Sequence, residues 1–156
     1  MQPRIPYHKY SPHALQAMLA LERHLKNCGL DEKLLHLIKL RASQINGCAY
    51  CIDMHSKDAR AGGDTEMRLY ALNAWRETPF FTARERAVAW TESLTRISEN
   101  HAPDEIYDAT LKEFSEQELV DLTYAIATIN AWNRLAIAMR AVPGEYQPAE
   151  RKAAAS

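Results

Sequence analysis

Residues 34–60 read LLHLIKLRASQINGCAYCIDMHSKDAR, two helical patterns separated by one break at Asn46-Gly47. Upstream of the break, Leu34, Leu35, Ile38, Leu40 and Ile45 recur with the spacing of an amphipathic helix and then run out. So short a connection leaves room for a helical hairpin and little else, and the two helices are expected to pack antiparallel. Gly47 suits the break because glycine enters positive φ without a Cβ clash. Reflecting the sequence about Asn46 brings position 36 level with position 56. His36 is therefore the residue of the first helix expected to face the second.

The second helix carries the chemistry. Cys48 and Cys51 are spaced C-x-x-C, and His55 follows four residues after the second cysteine. In a helix that starts near Cys48 these three lie at i, i+3 and i+7, on one face. A thiol reacts as its thiolate, and the unpaired N–H groups of a helix's first turn favour that charge. One turn later, His55 is placed to act as base or hydrogen-bond partner for Cys51. If His36 and His55 meet, two neighbouring imidazoles resist both being charged, so at least one is expected to stay neutral at neutral pH.

The rest of the chain sets bounds. Its 156 residues make one ordinary domain with a real core, expected to span 1–156. A net charge of −1, from 19 basic and 20 acidic residues, gives no reason to expect nucleic acid or an anionic membrane as partner. The start, MQPRIPYHKYSPHA, carries prolines and charge where a signal peptide needs an apolar run, and no stretch is apolar enough to span a bilayer. A cytoplasmic location is expected. In a reducing compartment three cysteines do not make a disulfide framework, so the C-x-x-C there reads as catalytic or metal-binding. Cys28, before Gly29, reads as a small buried hydrophobe.

Helical punctuation fills nearly every segment, and no run reads as a strand; the expected fold class is all-α. Residues 1–10 read as an extended arm whose Ile5, Tyr7 and Tyr10 need a surface. Ser11 and Pro12 start a helix that runs to Gly29, and Asp31 caps the next. Asp64 is expected to cap a helix bearing Met67, Leu69, Tyr70, Leu72 and Trp75. Thr82 with Glu85, and Ser115 with Glu118, read as capping boxes. From Leu119 to Val142 one long helix is apolar around most of its axis and is expected to be buried, stopped by Pro143-Gly144. On it Asn130, Asn133 and Arg134 need partners and read as core or subunit contacts. The tail, 148–156, is expected to fray.

The run RASQINGCAYCIDMH closely resembles the alkyl hydroperoxidase D-like group of the carboxymuconolactone decarboxylase family, and INAWNRLA resembles the corresponding later helix of that family. Redox members of the group carry a glutamate twelve residues before the first cysteine, often a histidine between the cysteines, and a histidine four residues after the second. The resemblance implies a compact all-helical domain, a homo-oligomer (dimer, trimer or hexamer) and reduction of hydroperoxides by the cysteine pair. It assigns Cys51 as the peroxide-attacking sulfur, Cys48 as the resolving one and His55 to the proton relay. Two positions depart: His36 stands at the glutamate site and Tyr50 at the inter-cysteine histidine, so Tyr50 is a secondary candidate and His36 a candidate replacement in the relay. Cys48 and Cys51 are then expected to close a reversible disulfide, their β-carbons being about 5–6 Å apart at helical i, i+3 spacing.

The activity expected is therefore that of a thiol-dependent, peroxiredoxin-type peroxidase or disulfide oxidoreductase, an antioxidant enzyme with a small hydroperoxide as substrate and a dithiol reductant as partner. A lyase of the decarboxylase kind, or a non-redox protein on the same scaffold, is the alternative. A Cys2His2 zinc set of Cys48, Cys51, His55 and His36 is disfavoured, since ligands on one helix face are poorly disposed around a tetrahedron. No metal and no cofactor is expected: the sequence has no G-x-G-x-x-G, P-loop or G-x-S-x-G. His8, His13, His24 and His101 have no partner spacing and read as surface residues.

Overall fold

The helix Glu32–Asn46 is enclosed on nearly every side, and the rest of the chain packs around it. A computed structural model describes residues 2–148. Among these, α-helices α1 (Tyr7–Tyr10), α2 (Pro12–Asn27), α3 (Glu32–Asn46), α4 (Ala49–Ala61) and α5 (Glu66–Ala71) are followed by 3-10 segments at Leu72–Glu77 and Arg84–Ala87. Then come α6 (Val88–Thr95), α7 (Ile97–Asn100), α8 (Asp104–Leu111) and α9 (Glu116–Met139). The fold is all-helical, and no helix among the described residues is long and apolar enough to cross a membrane.

Two cores meet on α3. Leu34, Leu35 and Ile38 pack with Leu25 of α2, Trp90 of α6, Phe114 and the α9 residues Leu119, Leu122 and Ile126. Leu37 and Leu40 pack instead with Ala59 of α4, Leu69, Leu72, Trp75, Phe81 and Val88. A helix that touches a core on both sides must be apolar around most of its circumference, and α3 is.

Polar groups lock the same helix. Arg41 reaches the buried carboxylate of Glu92 on α6 at 2.7 Å through Nε and 2.6 Å through its terminal nitrogen. Trp75 Nε1 donates to Glu92 at 3.2 Å and Arg76 at 2.5 Å. Burial works against ionisation of Glu92, but the hydrogen bonds from Arg76 and Arg41 outweigh it, and the carboxyl sits below its ordinary pKa.

Local signals account for most boundaries. Asp31 accepts from the Lys33 amide, and both capping boxes form: Ser115 with Glu118, and Thr82 with Glu85. Several expectations are corrected. The arm is not extended throughout, because Tyr7–Tyr10 closes one helical turn after Pro6. Ser11 precedes α2 without capping it through its side chain. Thr65, not Asp64, caps α5; Asp64 is taken by Arg68 at 2.7 Å. That helix ends at Ala71 and tightens to 3-10, leaving Met67 and Tyr70 exposed. The last helix stops at Met139, where Arg140 takes a left-handed conformation, three residues before Pro143. It is also less enclosed than its composition suggests, with Val120, Tyr124 and Ile137 in solvent. Of the tail expected to fray, residues 149–156 lie outside the described residues.

Candidate active site

The turn between α3 and α4 fixes the thiols. Gly47 takes φ +67°, ending α3, and Cys48 is the extended N-cap of α4. Its Sγ accepts the Cys51 amide N–H at 3.4 Å, so the first thiol does for this helix what a serine oxygen does at other N-caps. Both cysteines are free, and both are buried, at 1% and 2% exposure.

Within one turn, the pair shares a single proton. A hydrogen bond from the Cys51 side chain draws Cys48 down to about 7 against its burial, and the Cys51 and Tyr50 amides and Asn133 assist. That same bond, then burial and the neighbouring charge push Cys51 well above the ordinary thiol range. A negative charge therefore rests at Cys48 near neutral pH, with Cys51 as the protonated member.

Asn133 was legible only as a polar residue in need of partners. Fully buried on α9, its Oδ1 accepts from Asn46 at 2.8 Å and its Nδ2 donates to Ser43 Oγ at 3.0 Å. Its amide also favours the charged form of both thiols. Asn130 is a core contact, accepting from Asn46 at 2.9 Å, whereas Arg134 is exposed and bonds back to the Asn130 carbonyl at 2.8 Å.

Two tyrosines adjoin the pair. Tyr50 packs against the buried cysteines and Ala136. Tyr7, from the arm, has its hydroxyl held above the ordinary pKa by burial, with Tyr50 and Cys51 adding. The arm is anchored on the end of α9, where the Arg4 amide and guanidinium donate to the Met139 and Ala138 carbonyls at 2.9 and 3.0 Å. So Tyr7 finds its surface on its own chain, while Ile5 and Tyr10 stay exposed.

His36 and His55 do come together, and Asp58 joins them: one ligand atom from each lies within 4.8 Å of the others. Asp58 is one turn beyond His55, an i+3 relation that the sequence pattern could have flagged. His55 is 6% exposed, and neither ring nitrogen has a hydrogen-bond partner. Burial, helped by the charges of Lys39 and His36, pushes its pKa down to about 3, so its imidazole is neutral at neutral pH. Of the four histidines read as surface residues, His24 has a partner, the buried Asp121 at 2.9 Å.

The profile of the carboxymuconolactone decarboxylase family matches residues 12–93. The uncharacterized protein YdfG of Bacillus subtilis (strain 168) is 41% identical over 140 residues, 89% of this chain and 95% of that protein. A protein of unknown function from Agrobacterium tumefaciens, named for antioxidant defence and AhpD, has a crystal structure similar at TM-score 0.88 and 43% identity, covering 93% of this chain and 100% of that one. The AhpD-core, peroxidase-related protein of Ralstonia eutropha JMP134 is similar at TM-score 0.77 and 18% identity, covering 89% and 75%, a likeness of fold alone. A family profile over more than half the sequence, a full-length relative and a superposable structure agree with the helix arrangement: the chain belongs to the carboxymuconolactone decarboxylase family and has the AhpD-like fold.

Proposed function

We propose that the protein is a thiol-dependent peroxidase that reduces organic hydroperoxides through a Cys48/Cys51 dithiol–disulfide cycle and is restored by a dithiol reductant. The carrying observation is a pair of free cysteines, one turn apart at the start of α4, that holds one negative charge near neutral pH.

In this reading Cys51 passes its proton to Cys48 across their hydrogen bond and attacks the terminal peroxide oxygen. The S–O bond forms as the O–O bond breaks, and the leaving alkoxide takes the proton from Cys48 to depart as the alcohol. The Cys48 thiolate then attacks the Cys51 sulfenic acid; the disulfide forms and hydroxide leaves, protonated by solvent. His55, buried one turn beyond Cys51 with His36 beside it, stands at the relay position of the redox members, and its depressed pKa means that it acts there as a neutral imidazole.

The test is thiol titration before and after one equivalent of an organic hydroperoxide, with mass spectrometry of the Cys48/Cys51 peptide. Loss of two thiols and a disulfide between these residues is expected, with a sulfenic acid trapped on Cys51 in Cys48→Ser. Retention of both thiols while peroxide is untouched overturns the reading; a sulfenic acid on Cys48 in Cys51→Ser reverses the two roles.

A further inference from the structure

A groove of about 590 Å³ is lined by Glu32, His36, Lys39, Asp58 and Tyr146 among others. His36 and Asp58 line it, and the buried His55 joins them, one ligand atom of each lying within 4.8 Å of the others. We propose that these three side chains bind one divalent transition-metal ion of the zinc class, at a site separate from the cysteines.

Donor set and spacing carry the argument. Two imidazoles and a carboxylate form the ligand set of open zinc and iron(II) sites. Bond lengths of about 2.0–2.2 Å require ligand atoms to stand roughly 3.4 Å apart around a tetrahedral ion. The three atoms lie within 4.8 Å of one another, with His55 Nδ1 already 3.9 Å from Asp58 Oδ2, so side-chain rotation closes the set without moving a helix.

An independent observation is His55 itself. A buried imidazole with neither nitrogen hydrogen-bonded is rare, since burial without a partner leaves a polar group's desolvation uncompensated. A metal ion supplies the missing partner. The surroundings fit as well. The Tyr146 hydroxyl donates to Asp58 Oδ1 at 2.6 Å, fixing the carboxylate with its other oxygen toward His55. Glu32 Oε1 lies 3.8 Å from His36 Nε2 and adds negative charge beside the site. Lys39 shares the groove, but its ammonium is held by Glu22 at 2.6 Å.

The cysteines are outside this set, which separates it from a cysteine-ligated zinc site. If His55 serves the thiol cycle, an ion that occupies its ring removes it from proton transfer, so metal and peroxide compete for one imidazole.

The experiment is titration of the tag-free full chain, stripped by chelator, with Co²⁺ followed by visible absorption and with Zn²⁺ followed by calorimetry. One equivalent is expected to bind, without a thiolate-to-metal charge-transfer band, and to bind equally in Cys48→Ser/Cys51→Ser. His36→Gln and Asp58→Asn each weaken it by about 100-fold, and Tyr146→Phe by about 10-fold. Circular dichroism checks each variant's fold, and Tyr146→Phe, which removes only a hydroxyl, keeps the test open should a ligand variant unfold. Absence of saturable binding, binding indifferent to His36 and Asp58, or a charge-transfer band lost with the cysteines overturns the proposal. Peroxide reduction by the stripped protein is read separately, so either proposal can fail alone.

Discussion

Cys48 is where residue chemistry and backbone geometry coincide: an N-cap position, an amide aimed at sulfur and a neighbouring thiol all favour its charge. Because deprotonation creates the nucleophile, the alkylation rate of Cys48 is expected to rise with pH through about 7 and level off above it, instead of rising towards the ordinary 9.0. Cys51→Ala, which removes the largest favourable contribution, should move that midpoint up by about one unit. A profile centred near the ordinary value in the unmutated protein would show that the hydrogen bond does not hold in solution. Asn133→Ala should also raise the midpoint, and it removes two buried hydrogen bonds while Asn46 keeps Asn130 and Ser43 keeps the Lys39 carbonyl, so about 1 kcal/mol of unfolding free energy is expected by denaturant titration. At this scale the sequence was most readable. Cys48 and Cys51 open the second helix and His36 meets His55, as the hairpin predicts, because a one-residue turn leaves little freedom. Asn133, Tyr7, Asp58 and Tyr146 were missed or only half read, since their proximity depends on how distant segments dock.

Among the elements, α3 is the one whose loss the fold could not survive, and Glu92 is the group that ties it to α6 and the 3-10 segment containing Trp75. Removing one member of a buried ion pair leaves an uncompensated charge, so Glu92→Gln should cost about 3 kcal/mol. Replacing both partners, as in Arg41→Met/Glu92→Leu, should recover a large part of that, and a double variant as unstable as the single one would refute this account of the pair. Gly47→Ala is a milder lesion: the site has open space for a Cβ, but φ +67° strains any side chain, so about 1 kcal/mol is expected. Helix existence and most capping signals could be read in advance because they are local. The Asp64 cap failed because Arg68 competes for that carboxylate, and the helix expected to bear Met67 to Trp75 breaks because the chain tightens to 3-10 at Leu72 and leaves helical φ/ψ at Ala74.

For the whole molecule, α9 leaves Val120, Tyr124 and Ile137 exposed at 50%, 54% and 46%. Apolar groups in such positions are characteristic of contact surfaces, and light scattering is expected to give a multiple of the 17.7 kDa chain mass, falling to that mass in Val120→Lys/Tyr124→Lys. A monomer in the unmutated protein would refute it. Composition had suggested that this helix would be fully enclosed; instead one small domain lacks the neighbours to cover it. The anchoring of Arg4 on the last turn of α9 and the reach of Asn133 to the thiols carry a consequence for synthesis on the ribosome. Chains emerge from their N-terminal end, so the C-x-x-C is exposed to the cell long before the helix that shields it has been translated. Until α9 docks, the two sulfurs lack both their cover and Asn133, and the nascent chain is the stage at which mixed disulfides with other thiols have freest access.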